Sequence, residues 1–287
     1  ADSQSHGPPM IDTPRPAPRE LEDLAPALLD LPPRRWIRSP ALLSIVVGVI
    51  LTLALVFAAT PYRSNAVRAF LLERGVTQPI TLAIAITVVD YCLRRLIGCR
   101  KERRQVGRDW IPRGLVDLRP TDSDVRTMLI LLGQRRTLMA NRLCRLLRCF
   151  QDSRSRGATR ELHQDDIALT QADIEDGYGV TRTMIWVLPM LGFLGTVLGI
   201  SISIGGFSGL LANVEDLDKV KASLTEVTGG LSTAFDTTLL GIITAVLCMV
   251  LMSISERCEY QLAGEIETAL NDGFFPRLCR DETVPAP

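Results

Sequence analysis

Thr196 and Thr238 stand near the middle of two apolar stretches, Trp186 to Leu210 and Gly230 to Ile254. A threonine hydroxyl both donates and accepts hydrogen bonds but does not titrate near neutral pH. Such a group solvates an ion or a neighbouring acid and cannot itself carry a proton. Each threonine belongs to a stripe. Pro189, Gly192, Thr196, Gly199, Ser203 and Gly206 recur at alternating steps of three and four, and Ala234, Thr238, Gly241, Ala245 and Cys248 do the same. That spacing gathers them on one helical face. A seam of small and hydroxyl residues lets helix backbones approach closely, or lines a narrow polar path between packed helices.

Two carboxylates also fall within apolar stretches. Asp236 points roughly 160° away from Thr238, because two residues advance by about 200° at ~3.6 per turn. It shares its side with Thr233, Thr237 and Leu240. Two roles stay open for it: a structural acid bonded to those threonines or to a neighbouring helix, and an ion-entry acid near the external end. Asp90 precedes Arg94 by four residues, the spacing of a local ion pair, with a relay role as the alternative.

Other chemistry is absent from the pattern. Cys92, Cys99, Cys144, Cys149, Cys248, Cys258 and Cys279 form no C-x-x-C motif, and His6 and His163 lie far from any zinc-like cysteine spacing. No metal and no cofactor are expected, and the cysteines read as small apolar residues kept reduced. There is no P-loop, no G-x-S-x-G and no H-E-x-x-H, so catalysis on a small molecule is not expected. Formal net charge is zero, which offers no whole-chain argument for a nucleic-acid partner.

The elements that must position the threonines are membrane helices. A span takes about 20 largely apolar residues to cross a hydrocarbon core of ~30 Å. The chain of 287 residues is 47% hydrophobic, with a mean hydropathy of +0.19, so an all-α polytopic membrane protein is predicted. Residues 1–40 are proline-rich and read as a disordered cytoplasmic tail rather than a cleavable signal. An N-terminal hairpin, 41–97, holds one span at 41–60 and a second at 79–97; for the latter an interfacial helix is the alternative. Arginines flank both: Arg34, Arg35 and Arg38 before the first, then Arg94, Arg95, Arg100, Arg103 and Arg104 after the second. Placing both flanks inside obeys the positive-inside rule.

Residues 98–184 read as a helical cytoplasmic insertion. One long amphipathic helix is expected over Val125 to Leu147, with N-cap groups at 121–124. Arg135, Arg136, Arg142, Arg145 and Arg148 crowd it, as a solvated basic face or as a docking surface for protein or anionic lipid. An acidic helix over Glu161 to Asp176 follows, with a hinge at Gly177 and Gly179. The core, 185–255, holds the spans 186–210 and 230–254, joined by an acidic loop at 211–229. A cytoplasmic helix and tail occupy 256–287, with Glu256, Glu259, Glu265 and Glu267 turned outward. Four transmembrane helices with both termini inside are the predicted topology.

At Gly192-Phe-Leu-Gly-Thr-Val-Leu-Gly-Ile200, followed by Leu231-Ser-Thr-Ala-Phe-Asp-Thr-Thr-Leu-Leu-Gly241, the sequence resembles the MotA/TolQ/ExbB proton channel family, over about residues 184–270. The resemblance implies that Thr196 and Thr238 are the family threonines facing a central pore, with Gly199 and Gly241 as nearby glycines. It implies a ring-shaped homo-oligomer, a pentamer, around a single-span partner of the ExbD/TolR/MotB kind whose membrane aspartate carries the proton. It places the chain in the bacterial inner membrane as a proton or cation channel subunit of an energy-transducing motor, with four spans as in the MotA branch. Asp236 departs from the family pattern, which has an apolar residue there. The site residues are then Thr196 and Thr238 for the ion pathway, Gly192, Gly199, Ser203, Ala234, Gly241 and Ala245 for seam packing, and Asp236 as the open case. From the residues alone another reading remains: Gly195 and Gly199 fit G-x-x-x-G, and a non-conducting scaffold that oligomerises and recruits a cytoplasmic partner would use the same seam for packing only.

Overall fold

A computed structural model of the chain describes residues 36–37, 41–59, 77–107, 110, 118–120, 122–135, 137–212 and 217–279. The described elements are helices: α1 (Ala41–Ala59), α2 (Thr77–Val106), α3 (Ser123–Gly133), α4 (Leu138–Ser153), α5 (Arg156–Ala212), α6 (Leu217–Gly273) and a 3-10 turn at Phe275–Arg277. Among the described residues, β pairing is confined to one isolated parallel bridge between Leu118 and Leu278. The fold is all-helical. Of the proline-rich stretch 1–40 only Trp36 and Ile37 are described, and most of the expected external loop before Thr77 lies outside the described residues.

The chain divides into two compact units. Ala1–Arg35, Asp109–His163 and Asp272–Pro287 make one; Trp36–Arg108 and Gln164–Asn271 make the other.

The first unit buries an apolar face of α3 (Val125, Leu129, Leu132) and of α4 (Leu143, Leu146, Leu147, Phe150). The single long helix expected here is two. α3 stops at Gly133, and α4 starts afresh at Thr137, whose hydroxyl accepts the Ala140 N–H at 3.3 Å. A glycine followed by a good N-cap residue ends one helix and begins another, although the apolar period continues across the break. The expected cap of α3 also differs: the Asp122 carboxylate accepts the Arg119 N–H at 2.8 Å and makes no bond to the first turn. α4 closes on Arg154, whose φ of 53° is the left-handed conformation common after helix ends. Arg142 and Arg148, read from sequence as part of a solvated basic face, are each only 7% exposed. The buried Arg148 Nε lies 3.7 Å from Asp152 Oδ2, an i,i+4 ion pair on the same helix. Arg136 lies outside the described residues.

The second unit is built on α1, α2 and the greater part of α5 and α6. α1 lies close against α2, since a Cβ at Gly48 would collide with the Thr87 side chain. Threonine hydroxyls at 52, 81 and 87 in these apolar helices are satisfied locally, whereas the buried Ser44 hydroxyl has no hydrogen-bond partner among the described residues. Thr52 donates to the Gly48 carbonyl at 2.8 Å, Thr81 to Thr77 at 2.8 Å and Thr87 to Ala83 at 2.7 Å. This i−4 bonding keeps a polar side chain tolerable in an apolar setting.

Among the described residues, two helices are long and apolar enough to cross a membrane, Arg156–Gly206 and Val220–Arg277; Leu42–Leu55 is a shorter apolar helix. α5 and α6 expose Trp186, Phe193, Phe235 and Leu247, side chains that water-facing helices rarely present together. Both helices outrun their sequence-based limits. α5 passes through Gly177 and Gly179, where a hinge was expected, and the expected loop 211–229 is helical up to Ala212 and again from Leu217. A glycine inside a helix costs only about 1 kcal/mol against alanine. Gly177 is there for packing: a Cβ on it would run into the Arg95 guanidinium.

Candidate ion-pathway site

The two small-residue stripes face each other between α5 and α6. A Cβ on Gly199 would come within 2.6 Å of the Gly230 carbonyl oxygen and 2.8 Å of the Ala234 nitrogen. One on Gly241 would come within 2.8 Å of the Leu188 carbonyl oxygen and 3.1 Å of Gly192 Cα. Ser203 closes one end of the seam by donating to the Gly199 carbonyl (3.0 Å) or the Val227 carbonyl (2.9 Å). Ala234 and Ala245 are buried. Any larger side chain at the glycines would wedge the backbones apart.

This approach brings Thr196 and Thr238 together. Their hydroxyl oxygens are 2.7 Å apart, and both lie 3.1 Å from the Gly192 carbonyl oxygen. Thr238 also lies 3.3 Å from the Ala234 carbonyl. Two hydroxyl hydrogens serve this set of acceptors, so when one threonine donates to the other and that one donates to a carbonyl, both hydrogens are committed. What then faces outward is lone-pair density, suited to accept from a protonated carboxylic acid. A rotation of one O–H frees a donor for the ionised form. Both threonines are half-buried.

Asp236 is half-buried on α6. Of the residues grouped with it, Thr233 donates to the Gly229 carbonyl at 2.9 Å. Thr237, which sequence reasoning left out of the seam, is buried with its side chain against Gly195. Asp90 accepts from Arg94 Nε at 2.7 Å, the local pair expected from their spacing.

A second polar cluster was not foreseen. Arg95 and Glu259, read from sequence as a flanking charge and an outward-turned acid, are 1% and 0% exposed. Arg95 Nε and Nη2 donate to the two Glu259 oxygens at 2.7 Å each. The carboxylate also accepts from Trp36 Nε1 at 3.2 Å and from the Tyr178 hydroxyl at 3.0 Å. Tyr178 pairs with Ser255 at 2.7 Å, Arg95 Nη1 reaches the Tyr91 hydroxyl at 3.1 Å, and Tyr91 donates to the Gly177 carbonyl at 2.5 Å. The Arg95 guanidinium lies 4.2 Å from the Tyr178 ring centroid, a cation–π contact. Burial pushes the Glu259 carboxyl above its ordinary range, and Arg95, Trp36 and Tyr178 pull it back.

A signal for this cluster does exist in the sequence. Cys248, Met252, Ser255, Glu259, Leu262 and Ile266 follow one another at steps of three and four, and all are buried. Glu259 therefore sits at a core position of the helical repeat, where an acid demands a cationic partner. Arg95 continues the buried α2 series Val88, Cys92, Cys99 in the same way.

Residues 134–268 match the model of the MotA/TolQ/ExbB proton channel family. The match takes in both threonines, the whole seam and Glu259, and leaves out α1 and α2. No curated protein and no solved structure matches the chain.

Proposed function

We propose, on the premise that residues 134–268 belong to the MotA/TolQ/ExbB proton channel family, that the chain is the proton- or cation-conducting subunit of a motor complex in the bacterial inner membrane. It couples the ion-motive force to mechanical work or transport through a single-span partner of the ExbD/TolR/MotB kind. The observation that carries this reading is the hydroxyl pair Thr196–Thr238 at 2.7 Å, set in a seam with glycine backbones on both helices.

The pair lacks a titratable group, so the proton carrier comes from the partner, an aspartate at membrane depth. An ionisable group there costs at least ~2.5 kcal/mol on insertion scales. Hydroxyls that accept from the protonated acid and, after rotation, donate to the carboxylate lower that cost at the point of exchange. The transmembrane potential supplies about 2.3 kcal/mol per charge per 100 mV to drive the cycle. In this reading 41–97 and 185–255 lie in the membrane as four spans, while 1–40, 98–184 and 256–287 are cytoplasmic. Five copies form a ring whose axis the partner occupies. The exposed apolar faces of α5 and α6 go to lipid and neighbouring copies. Asp236, near the external end, serves as ion-entry acid or as a structural group.

The test is proton flux into proteoliposomes holding the chain with its partner under an imposed potential. Thr196→Val and Thr238→Val are expected to abolish flux while the oligomer stays intact. The close glycine contacts also suit a second reading, a scaffold in which the seam only packs helices. That reading predicts the opposite order: assembly fails first, and no variant or wild-type complex carries potential-dependent flux.

A further inference from the structure

Beyond the threonine seam, α2 and α6 meet through three successive side-chain pairs: Arg95 with Glu259, Cys99 with Cys258, and Arg103 with Glu265. The α2 members are four residues apart, one above the other on a single face. The middle pair is unlike its neighbours. Its sulfur atoms lie 2.8 Å apart, and Cys99 Sγ is also 3.1 Å from the Cys258 carbonyl oxygen. Ion pairs on both sides join the two helices at that level. Cys99 is buried and Cys258 half-buried, so Cys258 is the more accessible of the two. Neither takes part in the proposed ion path.

We propose that Cys99 and Cys258 are an oxidisable dithiol, a reversible modification site at which a hydroperoxide converts the pair into a disulfide joining α2 to α6.

The chemistry runs in two steps. The Cys258 thiolate attacks the terminal oxygen of the hydroperoxide. An S–O bond forms, the O–O bond breaks, and the alcohol leaves after taking up a proton (water leaves when the oxidant is hydrogen peroxide). The Cys99 sulfur then attacks the Cys258 sulfur, so that an S–S bond forms, the S–O bond breaks, and the departing hydroxide takes the Cys99 proton to leave as water. Two thiols lose two electrons and two protons, and the hydroperoxide gains them. Burial pushes the Cys99 thiol up from its ordinary value, which keeps it unreactive toward bulk oxidant and leaves Cys258 to react first. A soluble dithiol reverses the change by exchange, taking the disulfide onto itself.

The experiment uses the full chain in membrane vesicles, exposed to hydrogen peroxide, then alkylated after unfolding, digested and weighed. The expected product is a peptide pair joining Cys99 to Cys258, lighter by two hydrogen atoms than the reduced peptides and released by dithiothreitol. Cys99→Ser should leave Cys258 as a sulfenic acid that dimedone traps. Complete alkylation of both thiols in the treated wild type overturns the proposal, as does conversion of Cys258 to sulfinic acid with no cross-link. The wild-type assay decides the matter even where a variant fails to fold. It also stands apart from ion conduction, so either idea can fail alone.

Discussion

Arg95 and Glu259 lie 164 positions apart in the chain and meet through two nitrogen–oxygen contacts of 2.7 Å, in a place where neither side chain is more than 2% exposed. A bidentate guanidinium–carboxylate pair satisfies both charges, and Trp36 and Tyr178 fill the remaining acceptor positions. The pair fixes the register of α2 against α6. Its value to stability is expected to be asymmetric, since breaking a buried pair from one side leaves an uncompensated charge costing about 3–5 kcal/mol. Arg95→Met or Glu259→Met alone should therefore lower the midpoint of thermal unfolding in detergent sharply, and the double variant should regain most of the loss. A double variant as unstable as the worse single one would contradict this account.

Gly177 gives a separate check on the same contact. Its missing Cβ is the space that the Arg95 guanidinium occupies. Gly177→Ala improves helix propensity by about 1 kcal/mol, yet should destabilise the protein by about 1–3 kcal/mol through overpacking. Stabilisation in the unfolding measurement would show that Arg95 sits elsewhere.

The hydroxyls of the threonine pair, rather than their size, are expected to matter for flux. Thr238→Ser keeps the contact to Thr196 and to the Gly192 carbonyl and should retain a substantial share of proton flux. Thr238→Val keeps the volume, removes the hydroxyl and should reduce flux at least tenfold. Equal activity in the serine and valine variants, read as proteoliposome acidification, would separate the pair from ion movement.

Seam glycines should behave differently from the threonines. Gly199→Leu places side-chain atoms where the Gly230 carbonyl and the Ala234 amide now lie, and Gly241→Leu does so against Leu188 and Gly192. Both variants are expected to lose the folded α5–α6 pair, seen as aggregation on size-exclusion chromatography and as loss of partner binding. Normal elution with wild-type partner binding would mean that the helices have room the structure does not give them.

The chain's own pattern was enough for much of this. Continuous apolar runs of spanning length imply helices, because a helix satisfies all its backbone groups within the one segment, whereas barrel strands alternate apolar with polar residues. Three-and-four spacing was enough to put Gly192, Thr196, Gly199 and Ser203 on one face of their helix and Ala234, Thr238, Gly241 and Ala245 on one face of theirs, since a stripe needs only helical geometry to exist. The i,i+4 pair of Asp90 with Arg94 was legible for the same reason. Tertiary structure alone decided what each stripe meets. The hydroxyl contact of Thr196 with Thr238, the continuation of α5 through Gly177, and the burial of Arg95 and Glu259 depend on partners far away in the sequence. A charged residue on a helix reads as solvated until a distant opposite charge is brought against it. Local periodicity fixes the direction in which a side chain points, whereas the free energy of placing a charge there depends on what the fold packs in front of it.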